Sequence, residues 1–288
     1  MKSAQRSLVA FFAAVYAVTW TAFIAAAAST GAFRLPLAIP EVLRWPLLLV
    51  GAFAPSAVAI VLTAREQGRA GVRQLLRRLL QWRVGWIWFV FALCFLATVK
   101  LTAAVAFRLA SGAWPAFGTY PAWYVVLLTS LVAMILGGPL GEEIGWRGFA
   151  LPRLQQLMGE RSASVTLGLL WALWHWPVFF IPGLDQYGQP FGPYVLYVTG
   201  LSVAFAFLYR TTGGSLLLAV LFHTAVNQSK DIVVTRLPDG FRSPLSFTYT
   251  GIGWTFLGVL WLCALVMLTR WPSPASANEV TTLNRDFI

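Results

Sequence analysis

The residues able to do chemistry in this 288-residue chain are few, and their positions are unusual. Of ten acidic residues, only Glu142 and Glu143 stand side by side at the end of an apolar run, in GGPLGEEIGWRGFALPRLQ (137–155). Both histidines lie inside apolar runs, His175 in GLLWALWHWPVFF (168–180) and His223 in AVLFHTAVNQ (219–228). An ionised side chain at mid-bilayer costs about 2.5–3.5 kcal/mol on insertion scales, so such residues need a partner or a task. Residues four apart share a helix face. Glu143 and Arg147 can therefore pair, while Glu142 points about 100° away and is free to face something else. Trp171 and His175 share a face in the same way, as do His223 and Asn227. Three helices thus each offer a polar group to one cavity. Gly137, Gly138 and Gly141, with the break at Pro139, would let backbones approach there and let water in.

A carboxylate, two imidazoles and an amide suit hydrolysis of an acyl bond. A buried glutamate can act as general base on a water. A histidine can hold that water or return a proton to the leaving amine, and Asn and His donors can stabilise the developing oxyanion. The same groups include proper zinc ligands in Glu142, His175 and His223, with an open position for water. No H-E-x-x-H signature is present, so a metal site depends on convergence in space. Each group also has a plainer reading: a surface ion pair for Glu143 and Arg147, a histidine bonded to a backbone carbonyl, Asn227 as interhelical glue. Trp171, Trp174 and Trp176 read as packing and interface anchors.

The elements that must position these groups are membrane helices. The chain is 58% apolar and 11% charged, with a mean hydropathy of +0.71, against about 45–50% and about 25% in soluble domains. This excludes a disordered chain, a disulfide scaffold and an ordinary soluble enzyme. The apolar runs are continuous rather than alternating, which argues for an all-α polytopic bundle over a barrel. Eight spans are expected, at about 8–28, 45–64, 86–110, 122–140, 163–181, 192–209, 214–230 and 250–270. The first exceeds the usual core of a signal peptide and reads as a retained helix. The seventh holds His223, Asn227 and Gln228, and hydropathy alone would miss it.

The net charge of +11 comes from Lys and Arg in short loops, as the positive-inside rule produces, and nucleic-acid binding is not expected. With the N-terminus inside, 14 of the 21 basic residues fall on the cytoplasmic side, five on the other (Arg34, Arg44, Lys230, Arg236 and Arg242), and two, Lys100 and Arg108, within the third span. Both termini are therefore expected in the cytoplasm, with the protein in the cell membrane if it is bacterial. The segment 69–83 places Val72, Leu75, Leu76 and Leu79 at helical spacing among arginines, as in an amphipathic helix on anionic headgroups. Residues 1–270 read as a single transmembrane domain with its motif core at 137–228, and 271–288 as a loosely ordered tail. Cys94 and Cys263 fall in different apolar runs and read as buried apolar side chains.

The order EExxxR, aromatic-xxxH, HxxxN resembles the CPBP family, the CAAX-protease and bacteriocin-processing intramembrane endopeptidases related to type II CAAX prenyl proteases. Here the motifs are Glu142-Glu143-Ile-Gly-Trp-Arg147, Trp171-Ala-Leu-Trp-His175 and His223-Thr-Ala-Val-Asn227. The resemblance covers about 140–228, and one departure is Trp171, where the family usually has Phe. It implies an α-helical membrane peptidase that cuts a peptide bond in a cavity open to the cytoplasmic side. It further implies Glu142 as the base, Glu143 and Arg147 as supports of the motif, and His175 as an aid to the water. His223 and Asn227 would form the oxyanion site. Substrates of such a protein would be peptides or proteins, prenylated CAAX tails or leader peptides among them, lipidated or membrane-associated. Metal use is left open, with zinc the candidate. Two rival classes are an ion- or proton-coupled transporter and a non-catalytic scaffold or bacteriocin-immunity protein. The one break around 137–141 has no counterpart in the first half, as a repeat-built transporter would need.

Overall fold

The computed structural model describes residues 2–31, 39–238 and 244–271. Apart from Trp271, the tail expected to be loosely ordered lies outside them, as do Arg34, Arg242 and Arg285. The described chain is an all-helical bundle. Its long helices are α1 (Lys2–Ser29), α2 (Arg44–Arg77), α3 (Trp86–Ser111), α4 (Trp123–Leu136), α7 (Glu160–Trp174), α8 (Phe191–Thr211), α9 (Leu216–Ser229) and α10 (Gly251–Thr269). Between α4 and α7 run the short α5 (Pro139–Glu143), a π-helical turn (Ile144–Ala150) and α6 (Leu151–Met158).

Local chemistry explains the boundaries. The Ser215 and Thr250 side chains accept from the N–H groups of Leu218 (3.2 Å) and Gly253 (2.9 Å), capping α9 and α10. Gly112 closes α3 in the left-handed region that glycine enters freely. Pro55 sits inside α2 and has no N–H for the carbonyl of Gly51; the Thr19 hydroxyl donates to that carbonyl instead, at 2.9 Å. At Gly68, with φ of 64°, α2 kinks. The helical turns beyond it carry Gly71 and Leu75 inward and leave Arg69, Arg73 and Arg77 exposed, the amphipathic arrangement read from the sequence.

Among the described residues, seven helical segments are long and apolar enough to cross a membrane. The expected seventh span, at 214–230, is the short one. As α9 it has 14 residues, about 21 Å at 1.5 Å per residue, against a hydrocarbon core of about 30 Å. The chain leaves it early for a physical reason. Lys100, buried in α3, donates to the carbonyls of Lys230 and Val233 and to the Thr235 hydroxyl, and Val233 pairs with Phe117. The segment after α9 is thereby drawn into the bundle.

The polar contacts define two ends of the bundle. At one, Arg153 pairs with Glu66 (2.8 Å), Arg78 donates to Tyr209 (2.5 Å), Gln81 to the Thr212 carbonyl (2.8 Å), and Arg210 pairs with Glu160. At the other, Arg44 reaches the Pro182 carbonyl, Val234 donates to Ala116 (2.9 Å) and Phe191 to Pro244 (2.8 Å). Leucines, valines and isoleucines on α3, α4 and α10 stay exposed between these ends, as lipid-facing surface does. Together these features make an integral, multi-pass membrane protein.

The π-turn that follows Glu143 lies backbone to backbone against the middle of α2. A Cβ on Gly141 would come within 2.7 Å of the Ala52 carbonyl oxygen, and one on Gly145 within 2.6 Å of that of Pro55. Ser56 adds a hydrogen bond to the Leu140 carbonyl at 2.9 Å. Gly145→Val is therefore expected to force the two segments apart and to cost about 1–3 kcal/mol, the usual penalty of overpacking. Thermal unfolding in detergent measures it; an unchanged midpoint would contradict the close approach.

Candidate active site

Glu142 and Glu143 end α5, and both are withdrawn from solvent, at 5% and 0% exposure. Their side chains take different partners. Glu143 Oε1 accepts from Arg147 at 2.9 Å and is 2.7 Å from Nδ1 of His223. The i, i+4 pair expected from the sequence is present, and a histidine 80 residues further along closes on the same oxygen. Arg147 is itself fully buried, its guanidinium 4.2 Å from the Trp171 ring centre and 3.8 Å from that of Phe205. The carboxylate and the aromatic faces offset part of the cost of burying this cation, and losing either partner of the ion pair would strand the other charge.

Glu142 turns elsewhere. Its Oε2 accepts from the indole N–H of Trp171 at 2.7 Å. Its other oxygen, Oε1, lies over Gly138, where a Cβ would stand only 2.6 Å from it. Gly138 also has φ of +54°, so glycine is needed there twice over: for the turn that starts α5, and for room beside the carboxylate.

His175 closes the C-terminus of α7, and its Nδ1 lies 2.8 Å from the carbonyl of Trp171. A carbonyl only accepts, so Nδ1 carries the proton, and the neutral ring keeps an acceptor lone pair on Nε2. Trp171 stands between the two imidazoles, with ring centres 5.8 Å from His175 and 5.5 Å from His223. Tyr194 of α8 packs edge-on against His175 at 5.5 Å.

Glu142, Trp171, His175, His223 and Asn227 all line one cavity of about 500 Å³. Asn227 is exposed on the same face of α9 as buried His223. Glu143 and Arg147 are behind this wall rather than in it. The cavity continues past Tyr194, Tyr197 and Phe256 to a rim that includes Asp185, Lys230, Asp231 and Arg236.

The zinc set suggested by the sequence does not fit. Among the described residues, no three His, Cys, Asp or Glu side chains are arranged to hold a metal ion. Nδ1 of each histidine and Oε2 of Glu142 are engaged within the protein, so Nε2 of each ring and Oε1 of Glu142 are the donor atoms that remain.

Two residues of the site escape sequence reasoning. Trp171 reads there as packing, yet a buried indole N–H usually takes a partner, and here it takes the carboxylate at the centre of the site. Lys100, one of two basic residues within the third expected span, shapes the cavity by holding the 230–235 segment. Trp174, by contrast, is the packing residue expected, with Phe23 and Trp146 each 5.7 Å away. Trp171→Phe removes one hydrogen bond to a charged group, a contribution of about 1.5–3 kcal/mol. For a peptidase acting through Glu142, the expected result is a roughly tenfold or greater fall in kcat with folding retained, read from steady-state kinetics beside a melting curve.

Comparison with known proteins adds a second line. Residues 121–229 match the family model of "Type II CAAX prenyl endopeptidase Rce1-like". A stretch of 99 residues is 28% identical to "CAAX prenyl protease 2" of Methanococcus maripaludis. That stretch is 32% of this chain and 36% of the relative, so the chain spans about a third of the length of the curated protein it matches.

Proposed function

We propose that this chain, whose residues 121–229 match the type II CAAX prenyl endopeptidase model, is an intramembrane endopeptidase in which Glu142 activates the attacking water. The observation that carries this reading is the single cavity shared by Glu142, Trp171, His175, His223 and Asn227. Glu142 Oε1 takes a proton from water as the water oxygen bonds to the scissile carbonyl carbon. His175 Nε2 accepts the water's second hydrogen and orients it. The carbonyl becomes an oxyanion, to which the Asn227 amide donates. His223 donates from Nε2 when protonated, its Nδ1–H resting on Glu143. Collapse of the tetrahedral species breaks the C–N bond, and the proton on Glu142 passes to the departing amine.

Glu143 and Arg147 act through the others: they hold His223 and fix the turn that presents Glu142. Tyr194, Tyr197 and Phe256 along the cavity suit a peptide that brings apolar or aromatic side chains, or a lipid group, to the site. Arg69, Arg73 and Arg77 on the exposed face of the basic helix suit anionic headgroups.

The test is a comparison of membrane proteomes from cells making the active chain and cells making Glu142→Gln. A new peptide terminus present only with the active chain supports the reading. Identical terminus profiles at equal expression overturn it.

A further inference from the structure

Two expectations drawn from the sequence cannot both hold once the cavity is located. The charge bias assigns the arginine-rich end to the cytoplasm. The family resemblance has the cavity opening there too. In the structure, the cavity opens at the other end.

The chain direction fixes this. The arginines of 65–83, together with Arg6, Arg153, Arg161, Arg210 and Arg270, lie at the end where α1 begins, α2 finishes its span, α6 gives way to α7, and α8 turns into α9. Contacts from Glu66 to Arg153 and from Gln81 to Thr212 tie that end together. From Glu142 and His223 the cavity runs the opposite way, between the segment after α7 and the segment after α9. Its rim carries Asp185 and Asp231, with Lys230 paired to Asp185 and Arg236 lying 3.4 Å from Asp185 and 3.7 Å from Asp231. These rim side chains are more than a third exposed, whereas Glu142 and His223 are each 5% exposed. Besides Lys230 and Arg236, the described residues at that end offer Arg44 and Arg108 as basic groups. The two rim cations already have carboxylate partners.

Resting on the peptidase reading of this cavity, we propose that the site takes its substrate from the non-cytoplasmic face of the membrane. Lysine and arginine in short loops decide which face of a helical membrane protein is retained inside. Here they collect at the end away from the cavity mouth. The substrate class that follows is a polypeptide segment exposed on the far side of the membrane, after translocation or at the outer end of a membrane-spanning protein. A tail confined to the cytoplasm would meet the arginine-bearing end, away from the cavity mouth.

The experiment labels single cysteines in the full-length chain, in a Cys94→Ala, Cys263→Ala background. Asp185→Cys and Asp231→Cys report the rim, and Arg73→Cys reports the basic helix. Intact cells are treated with a membrane-impermeant maleimide, with and without permeabilisation. The expected result is that the two rim cysteines are modified in intact cells, and Arg73→Cys only after permeabilisation. Rim cysteines protected until permeabilisation, or an Arg73→Cys that reacts in intact cells, overturns the proposal. Labelling needs no turnover, so the two readings fail separately. An inactive chain with the expected labelling defeats the peptidase assignment alone, and an active chain with the reverse labelling defeats the sidedness alone.

Discussion

Glu142→Gln is expected to lower the rate of peptide cleavage by about 10²–10⁴-fold, the range supplied by a positioned general base, while the protein inserts and folds as before. The amide has nearly the shape of the carboxylate, and its carbonyl oxygen can still accept from Trp171, so the local scaffold survives. What disappears is the proton acceptor over Gly138. Single-turnover cleavage of a reporter peptide beside a melting curve separates loss of chemistry from loss of fold. A Glu142→Gln protein of undiminished activity would remove this residue from the reaction.

Glu143→Ala acts differently and damages more. It leaves Arg147, with no exposed surface, as an uncompensated cation among aromatic rings, and it removes the acceptor from His223. Breaking a buried pair by deleting one partner costs about 3–5 kcal/mol. The expected outcome is a marked loss of thermal stability together with loss of activity. Adding Arg147→Met should return most of the stability, because the stranded charge is gone, and none of the activity, because His223 is still unheld. If the single variant melts like the parent protein, the buried pair is not what holds this corner.

The long helices were legible because their signal is local. Twenty or so apolar residues in a row are a requirement of the lipid, so the runs around α1, α3, α8 and α10 and their observed ends differ by a few residues. The spacing of Glu143 and Arg147 was legible for the same reason, since the helix itself brings them together. Three things were not. The length of α9 depends on Lys100 capturing a segment 130 residues away. The role of Trp171 depends on an N–H reaching a carboxylate on another helix 29 residues earlier. The closure of His223 on Glu143 rather than on Glu142 depends on how α5 and α9 pass one another. Convergence on one cavity followed from the motifs, but which atom meets which did not.

The wide turn at Ile144–Ala150 has a consequence for how variation in this region should be interpreted. A π-turn holds an extra residue relative to regular α-helical winding, and it sits between the two glutamates and α6. Deleting one residue inside it would let the turn close to regular winding with its flanks nearly in phase, whereas deleting one residue from the α-helical turns on either side would rotate everything upstream by about 100° against everything downstream. Such a chain would keep both acids, both imidazoles and the amide while aiming the carboxylates at the wrong neighbours. A shift of phase outside the turn can take this site apart without altering one of the residues proposed to react.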